Sequence, residues 1–151
     1  MTAKEYISRQ RALLKEMAAN RARETLAITF DLYQQGRFRI NTSGVDWTGQ
    51  KFSPYSPGWA KNRKKRGRQV AFVDFNDTGR LQANVRPSVV SATPVSTVIE
   101  LSAQNQENNA KLLGALNTPK GNPRGNILRP SAQEIDNAAE ANRQRIQKYL
   151  I

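Results

Sequence analysis

The sequence predicts an α+β fold: a long N-terminal helix, a small antiparallel β-sheet carrying long loops, and a C-terminal helix. Three observations predict it. Residues 3–35 contain no proline or glycine and are dominated by Ala, Leu, Glu, Lys, Arg and Gln, all good helix formers. Val95, Thr97, Ile99 and Leu101 alternate with Ser96, Val98 and Glu100, the period of a half-buried strand. Ser131 and Glu134 stand three apart at the head of a last periodic run, the spacing of a helix capping box.

The first helix is expected over 3–35, with Gly36 as its stop. Ile7, Leu14, Ala18, Ala22, Thr25, Thr29 and Leu32 mark one face, and Tyr6, Leu13, Met17 and Ile28 widen and shift it. A drifting face with small residues fits packing on a sheet better than a strict coiled coil. Six basic and four acidic residues occupy the rest, with Glu5 four before Arg9 as a supportive pair. The helix reads as a scaffold element, or as one that also touches a neighbouring subunit.

The region 36–101 is expected to form the β core. Phe38–Thr42 is a short strand candidate, and Ser43–Asp46 turns the chain before Trp47. Pro54 and Pro57 forbid regular structure ahead of Gly58. Residues 59–66 then allow a short helix that Gly67 ends, with Lys61, Lys64 and Lys65 outside. The loop 51–68 holds seven basic residues and no acidic one. Three readings of it stand open: a solvated charged face, contact with an acidic partner subunit, and contact with nucleic-acid backbone through Lys61, Arg63, Lys64, Lys65, Arg66 and Arg68, joined by Arg124 from a later loop. Trp47, Tyr55 and Trp59 read as anchors that pin loops to the domain, although aromatics there could also stack on bases.

Val70–Phe75 carries the branched and aromatic content of a strand. Asp77 or Thr78 is expected to cap a helical turn beginning near Gly79, Arg80 and Leu81. A strand over 84–91 follows, with Pro87 marking an edge or a bulge. Thr93-Pro94 turns it back into the alternating strand. Residues 102–130 are polar, then rich in Gly and Pro, and read as an extended loop region. In the last helix, 131–151, Ser131 caps and Glu134, Asp136 and Glu140 precede Arg143, Arg145 and Lys148, which suits the helix dipole. Ile135, Ala138 or Ala139, Asn142, Ile146 and Tyr149-Leu150 are its expected packing face.

The whole chain, 1–151, is expected to be one domain with a modest core. A hydrophobic content of 38% lies below the usual range, so some backbone should lie in arms or loops that only an assembly covers. The net charge of +12 favours nucleic acid or an acidic protein surface as partner. With no cysteine and no histidine, disulfides, thiol chemistry and the commonest general base and metal ligand are absent. No apolar run approaches a bilayer span and no signal-peptide core is present, so the expected setting is the cytoplasm where it is made, or a particle assembled there. Asp74 and Asp77 are the one close acidic pair of the central region, a poor metal site without a third ligand, and no nucleophile stands beside a base. Asp74 is better read as a surface or salt-bridging residue. Asp77-Thr78-Gly79 lacks the glycine spacing and lysine of a phosphate loop. The chain reads as a non-enzyme with neither metal nor cofactor.

The order of the central motifs resembles the bacteriophage virion-morphogenesis and tail-completion proteins. It runs Trp47, Ser53-Pro54-Tyr55, Lys61 and Lys65 before Gly67, a hydrophobic segment, then Asp77-Thr78-Gly79-Arg80-Leu81. Asn122-Pro123-Arg124 to Leu128 and the final helix extend the likeness over 36–151. Two departures are visible: Asn109-Ala110 and Leu113-Gly114 stand without a histidine, and Arg124–Leu128 lacks a second proline and an aromatic. The resemblance implies an α+β subunit that closes into a ring, commonly of six, around the channel through which DNA passes. Such a ring joins a head connector or adaptor to the tail tube, or caps the tube as a terminator. It implies copies of itself, connector and tail proteins as partners, non-specific contact with channel DNA, no membrane, and a place in the neck or tail of a virion made in a bacterial cytoplasm. A free nucleic-acid-binding protein using Lys61–Arg68, and a small accessory binding module, are the alternatives.

Overall fold

The computed structural model describes residues 2–76, 78–110 and 129–147. The elements run α1 (Ala3–Ser43), α2 (Pro57–Lys65), α3 (Arg80–Asn84), β1 (Val85–Ala92), β2 (Thr97–Ala103) and α4 (Ala132–Gln147). The fold is α+β: a long first helix, a two-stranded antiparallel sheet with loops, and a last helix. No helix among the described residues is long and apolar enough to cross a membrane.

Helix α1 opens on a reciprocal capping box. The Thr2 hydroxyl accepts from the Glu5 amide at 3.2 Å, and the Thr2 amide donates to the Glu5 carboxylate at 2.6 Å. The helix runs straight through Gly36, so neither the expected stop there nor the strand at Phe38–Thr42 is present. Packing overrides propensity here: Tyr33, Gly36 and Ile40 lie three and four apart on one buried face, which rewards helix beyond the glycine. The actual end is Gly44, at φ 61°, whose amide bonds to the Ile40 carbonyl at 3.0 Å. A Cβ on Gly44 would stand 2.5 Å from the Phe72 Cβ, so the position demands glycine for both backbone and space.

Tyr33, Ile40, Phe52, Val73, Val85 and Ala103 form the core, with Tyr55, Phe75, Leu81 and Leu101 against it. Phe52 and Phe75 meet edge to face at 5.1 Å. The hairpin β1–β2 pairs Val85 with Ala103 and Val89 with Ile99, and a bulge falls between Val89 and Ser91. Pro87 sits on a free edge, as expected of it, opposite Leu101. Strand β2 alternates as its sequence does, but begins at Thr97, and Val95 lies in the turn, 81% exposed. Arg21 Nη1 donates to the Pro94 carbonyl at 2.8 Å and ties this turn to α1.

The segment Val70–Phe75 is not a strand. Side chains take the bonds that a neighbouring strand would otherwise make: Gln69 Nε2 donates to the Phe72 carbonyl at 2.8 Å and Asp74 Oδ1 accepts from the Asn76 amide at 2.9 Å. Phe75, at φ 52°, then turns the chain.

Helix α4 carries the predicted box. The Ser131 hydroxyl accepts from the Glu134 amide at 3.2 Å and the Ser131 amide donates to Glu134 Oε2 at 2.7 Å. Its packing face is shifted from the expected one: Glu134 and Ala138 are buried against α1, while Ile135 is 50% exposed. The reason is an ion pair, Arg39 Nε to Glu134 Oε1 at 2.8 Å, which turns Glu134 inward. Asp77, residues 111–128 with Arg124, the C-terminal residues 148–151, and the side chains of Arg145 and Ile146 lie outside the described residues.

Candidate interaction surface on helix α2

Helix α2 starts with Pro57 in its first turn, where the missing N–H costs no hydrogen bond. It ends in a Schellman closure: the Gly67 amide reaches the Lys64 carbonyl at 3.1 Å and the Arg68 amide reaches the Arg63 carbonyl at 3.0 Å, with Gly67 at φ 65°. Gly67 thus ends the helix as the sequence indicates.

The basic residues of this stretch divide sharply. Arg63, expected to face a partner or DNA, is 2% exposed and points into the fold. Its Nη2 donates to both oxygens of Asp74 at 3.1 Å, its Nε to the Gln69 carbonyl at 3.0 Å and its Nη1 to the Asn76 carbonyl at 3.2 Å. Its guanidinium lies 4.5 Å from the Tyr55 ring centroid. An unpaired cation could not be buried there; Asp74 supplies the countercharge. Lys61, Lys64, Lys65, Arg66 and Arg68 remain exposed. The first three rise from one turn of helix and Arg68 follows the closure, so the pattern i, i+3, i+4 puts a ridge of positive charge on the outside.

Asp74 is the hub beneath that ridge. It also accepts from the Tyr55 hydroxyl at 2.8 Å and from Gln69 Nε2 at 2.7 Å. Its carbonyl accepts from Gln82 Nε2 at 3.2 Å; Gln82 exchanges amide bonds with Asn41, and its carbonyl accepts from the Tyr33 hydroxyl at 2.9 Å. A chain of polar bonds therefore locks α2 to α1. Burial pushes the Tyr33 and Tyr55 phenols above their ordinary value, which keeps both as donors.

The three aromatic anchors have different surroundings. Tyr55 is fastened to Arg63 and Asp74. Trp47, half-buried, lies under the Arg129 guanidinium at 3.7 Å. Trp59 is 42% exposed on α2, with the Arg66 guanidinium 5.2 Å from its centroid, and is part of the outer surface rather than a pin. Gly79, at φ 75°, is the N-cap of α3, and the hydroxyl of Thr78 accepts a long bond from the Arg80 amide at 3.4 Å. Thr78, Gly79 and Leu81 line a polar cleft of about 450 Å³ with Phe75, Asn84 and Asn105. Among the described residues, no three acidic side chains gather into a group able to hold a metal ion.

Sequence reading missed the inward turn of Arg63. The signal available was its spacing: on a helix Arg63 stands on the side of α2 away from Lys61 and Lys65.

Comparison with protein-family models, with curated proteins and with solved structures finds no match for this chain.

Proposed function

We propose that the chain is a ring-forming structural subunit of a tailed-phage virion, a neck or tail-completion protein that joins the head connector to the tail or caps the tail tube around the DNA channel. The observation that carries this reading is the placement of the motifs. Trp47 and Ser53-Pro54-Tyr55 shape the loop ahead of α2, the lysines ride on α2 before Gly67, and Thr78-Gly79-Arg80-Leu81 opens α3 and leads directly into the hairpin. This is the order the resemblance implies, set on an α+β scaffold. Bare apolar surface on α1 and on the hairpin suits a subunit whose neighbours complete it. Its partners on this reading are copies of itself, in a ring of six or more, together with connector or adaptor and tail proteins, and its place is the virion, after synthesis in the bacterial cytoplasm.

Light scattering on the purified protein, at low and moderate salt, with and without duplex DNA, tests it. A discrete ring mass is expected, or a monomer indifferent to DNA that closes into a ring only on a connector surface. A monomer that binds DNA tightly, with affinity falling steeply as salt rises, sinks the assembly reading. That result would favour a second reading, a nucleic-acid-binding protein, which the outward ridge of Lys61, Lys64, Lys65 and Arg68 supports. In that case neutralising Lys64, Lys65 and Arg66 abolishes the binding.

A further inference from the structure

The first eighteen residues of α1 have the sequence of a packed helix and the surroundings of an unpacked one. The capping box at Thr2 and Glu5 fixes the helix start, yet Tyr6, Ile7, Leu13, Leu14 and Met17 are 44–55% exposed. On a helix of 3.6 residues per turn these five fall within an arc of about 120°. The same arc, carried along α1, contains Gln35 and Arg39, the positions that meet α4 through Asn137 and Glu134. The C-terminal end of this stripe is therefore docked on a helix, Arg21 in its middle reaches the hairpin turn, and its N-terminal end is bare. The two contacts make α4 antiparallel to α1, so Gln147 comes level with roughly residue 26 of α1. The described part of α4 stops well short of the arm.

The chain also carries a surface to match. The outer side of α4 presents Ala132, Ile135 and Ala139, at the i, i+3, i+7 spacing of a docking face, and all three are exposed. Small residues there permit close approach of a second helix. Charge selects the pairing. Beside this face Asp136 and Glu140 are exposed, Glu140 3.3 Å from Arg143, while Glu134 is turned inward to Arg39, and no basic residue precedes Arg143 in α4. The arm carries Lys4, Arg9, Arg11 and Lys15 against Glu5 and Glu16. Two arms laid side by side would set these bases against each other, whereas an arm on α4 sets base against acid.

We infer that the N-terminal arm of α1 docks on the outer face of α4 of a second copy, head to tail, an inference that rests on the assembly reading and supplies the contact between its subunits. The contact is heterologous, with different surfaces on its two sides, which is the kind that generates rings. Arm and α4 are of similar length, about 27 Å and about 24 Å at 1.5 Å per residue. Each α4 is then held between its own α1 and its neighbour's arm.

The absence of cysteine makes the test clean. Leu14→Cys and Ile135→Cys are introduced into the full chain, singly and together, and oxidised. The double variant is expected to give a ladder of disulfide-linked oligomers while each single variant gives none. Efficient dimers from Leu14→Cys alone would mean that arms pair with arms, and linking in no variant would mean no contact; either result overturns the inference. In parallel, Ile7→Glu with Leu14→Glu should lower the light-scattering mass to the 16.9 kDa of one chain, with the far-UV circular dichroism unchanged, because these side chains are bare in the isolated subunit. A ring that keeps its mass in that variant overturns arm docking and leaves the assembly reading standing. A ladder that never closes at a discrete mass supports arm docking and removes the ring.

Discussion

Arg63 and Lys64 are adjacent in the chain and sit in opposite environments, which gives two substitutions with very different expected costs. Asp74→Ala leaves the Arg63 guanidinium buried without its countercharge, and the expected loss is about 3–5 kcal/mol in urea denaturation. Lys64→Ala, on the exposed ridge, is expected to stay within about 0.5 kcal/mol. A small effect at Asp74 would mean that Arg63 is not held inside as described. Asp46 provides a pH-dependent counterpart. Burial acts to raise its carboxyl, but bonds from the Thr48 hydroxyl, the Thr48 and Gln50 amides, and the field of Arg39 outweigh it, so the group sits below its ordinary value of 3.8. A depressed carboxylate stabilises the fold fully above the unfolded value and loses that contribution as pH falls through the folded one. The stability gap between wild type and Asp46→Asn is therefore expected to be constant at neutral pH and to narrow below about pH 3.8, which denaturation midpoints at several pH values would reveal. At this scale the sequence identified the participants (Tyr55, Asp74, the basic run) but could not say which base faced inward, because that depends on where a carboxylate eleven residues away ends up.

Among the elements, those with their own local stop and start chemistry were legible: the Ser131–Glu134 capping box, the Gly67 closure, and the hairpin turning near Thr93-Pro94. Those decided by distant contacts were not. Gly36 looks like a stop, but the burial of Tyr33 and Ile40 carries α1 to Gly44. The two glycines should accordingly answer oppositely to the same change. At Gly36 an added Cβ meets only Arg39 Nη2, at 3.6 Å, so Gly36→Ala is expected to stabilise by about 0.5–1 kcal/mol. At Gly44 the clash with Phe72 and the positive φ make Gly44→Ala destabilising, and a pair of thermal melts reads both. Val70–Phe75 has the composition of a strand, but among the described residues no strand pairs with it. Its polar neighbours Gln69 and Asp74 supplied the alternative bonds, a choice that composition alone does not encode.

For the whole molecule, a charge of +12 sets the conditions under which copies can meet. Screening by salt weakens the mutual repulsion of the subunits, so an assembled mass is expected to persist or grow as ionic strength rises from low to moderate, opposite in sign to DNA binding through α2. Following mass and DNA affinity over one salt series separates the two behaviours. The two tryptophans offer a way to watch both events in a single cuvette. Trp59 stands on the basic helix under Arg66, and Trp47 lies in the loop under Arg129, so each indole has its own guanidinium neighbour in a different part of the fold. Emission from a Trp47→Phe variant should change when anything settles on α2, whereas emission from a Trp59→Phe variant should hold until the loop opens. The protein thus carries a built-in pair of optical channels, one on helix α2 and one in the half-buried loop at Trp47.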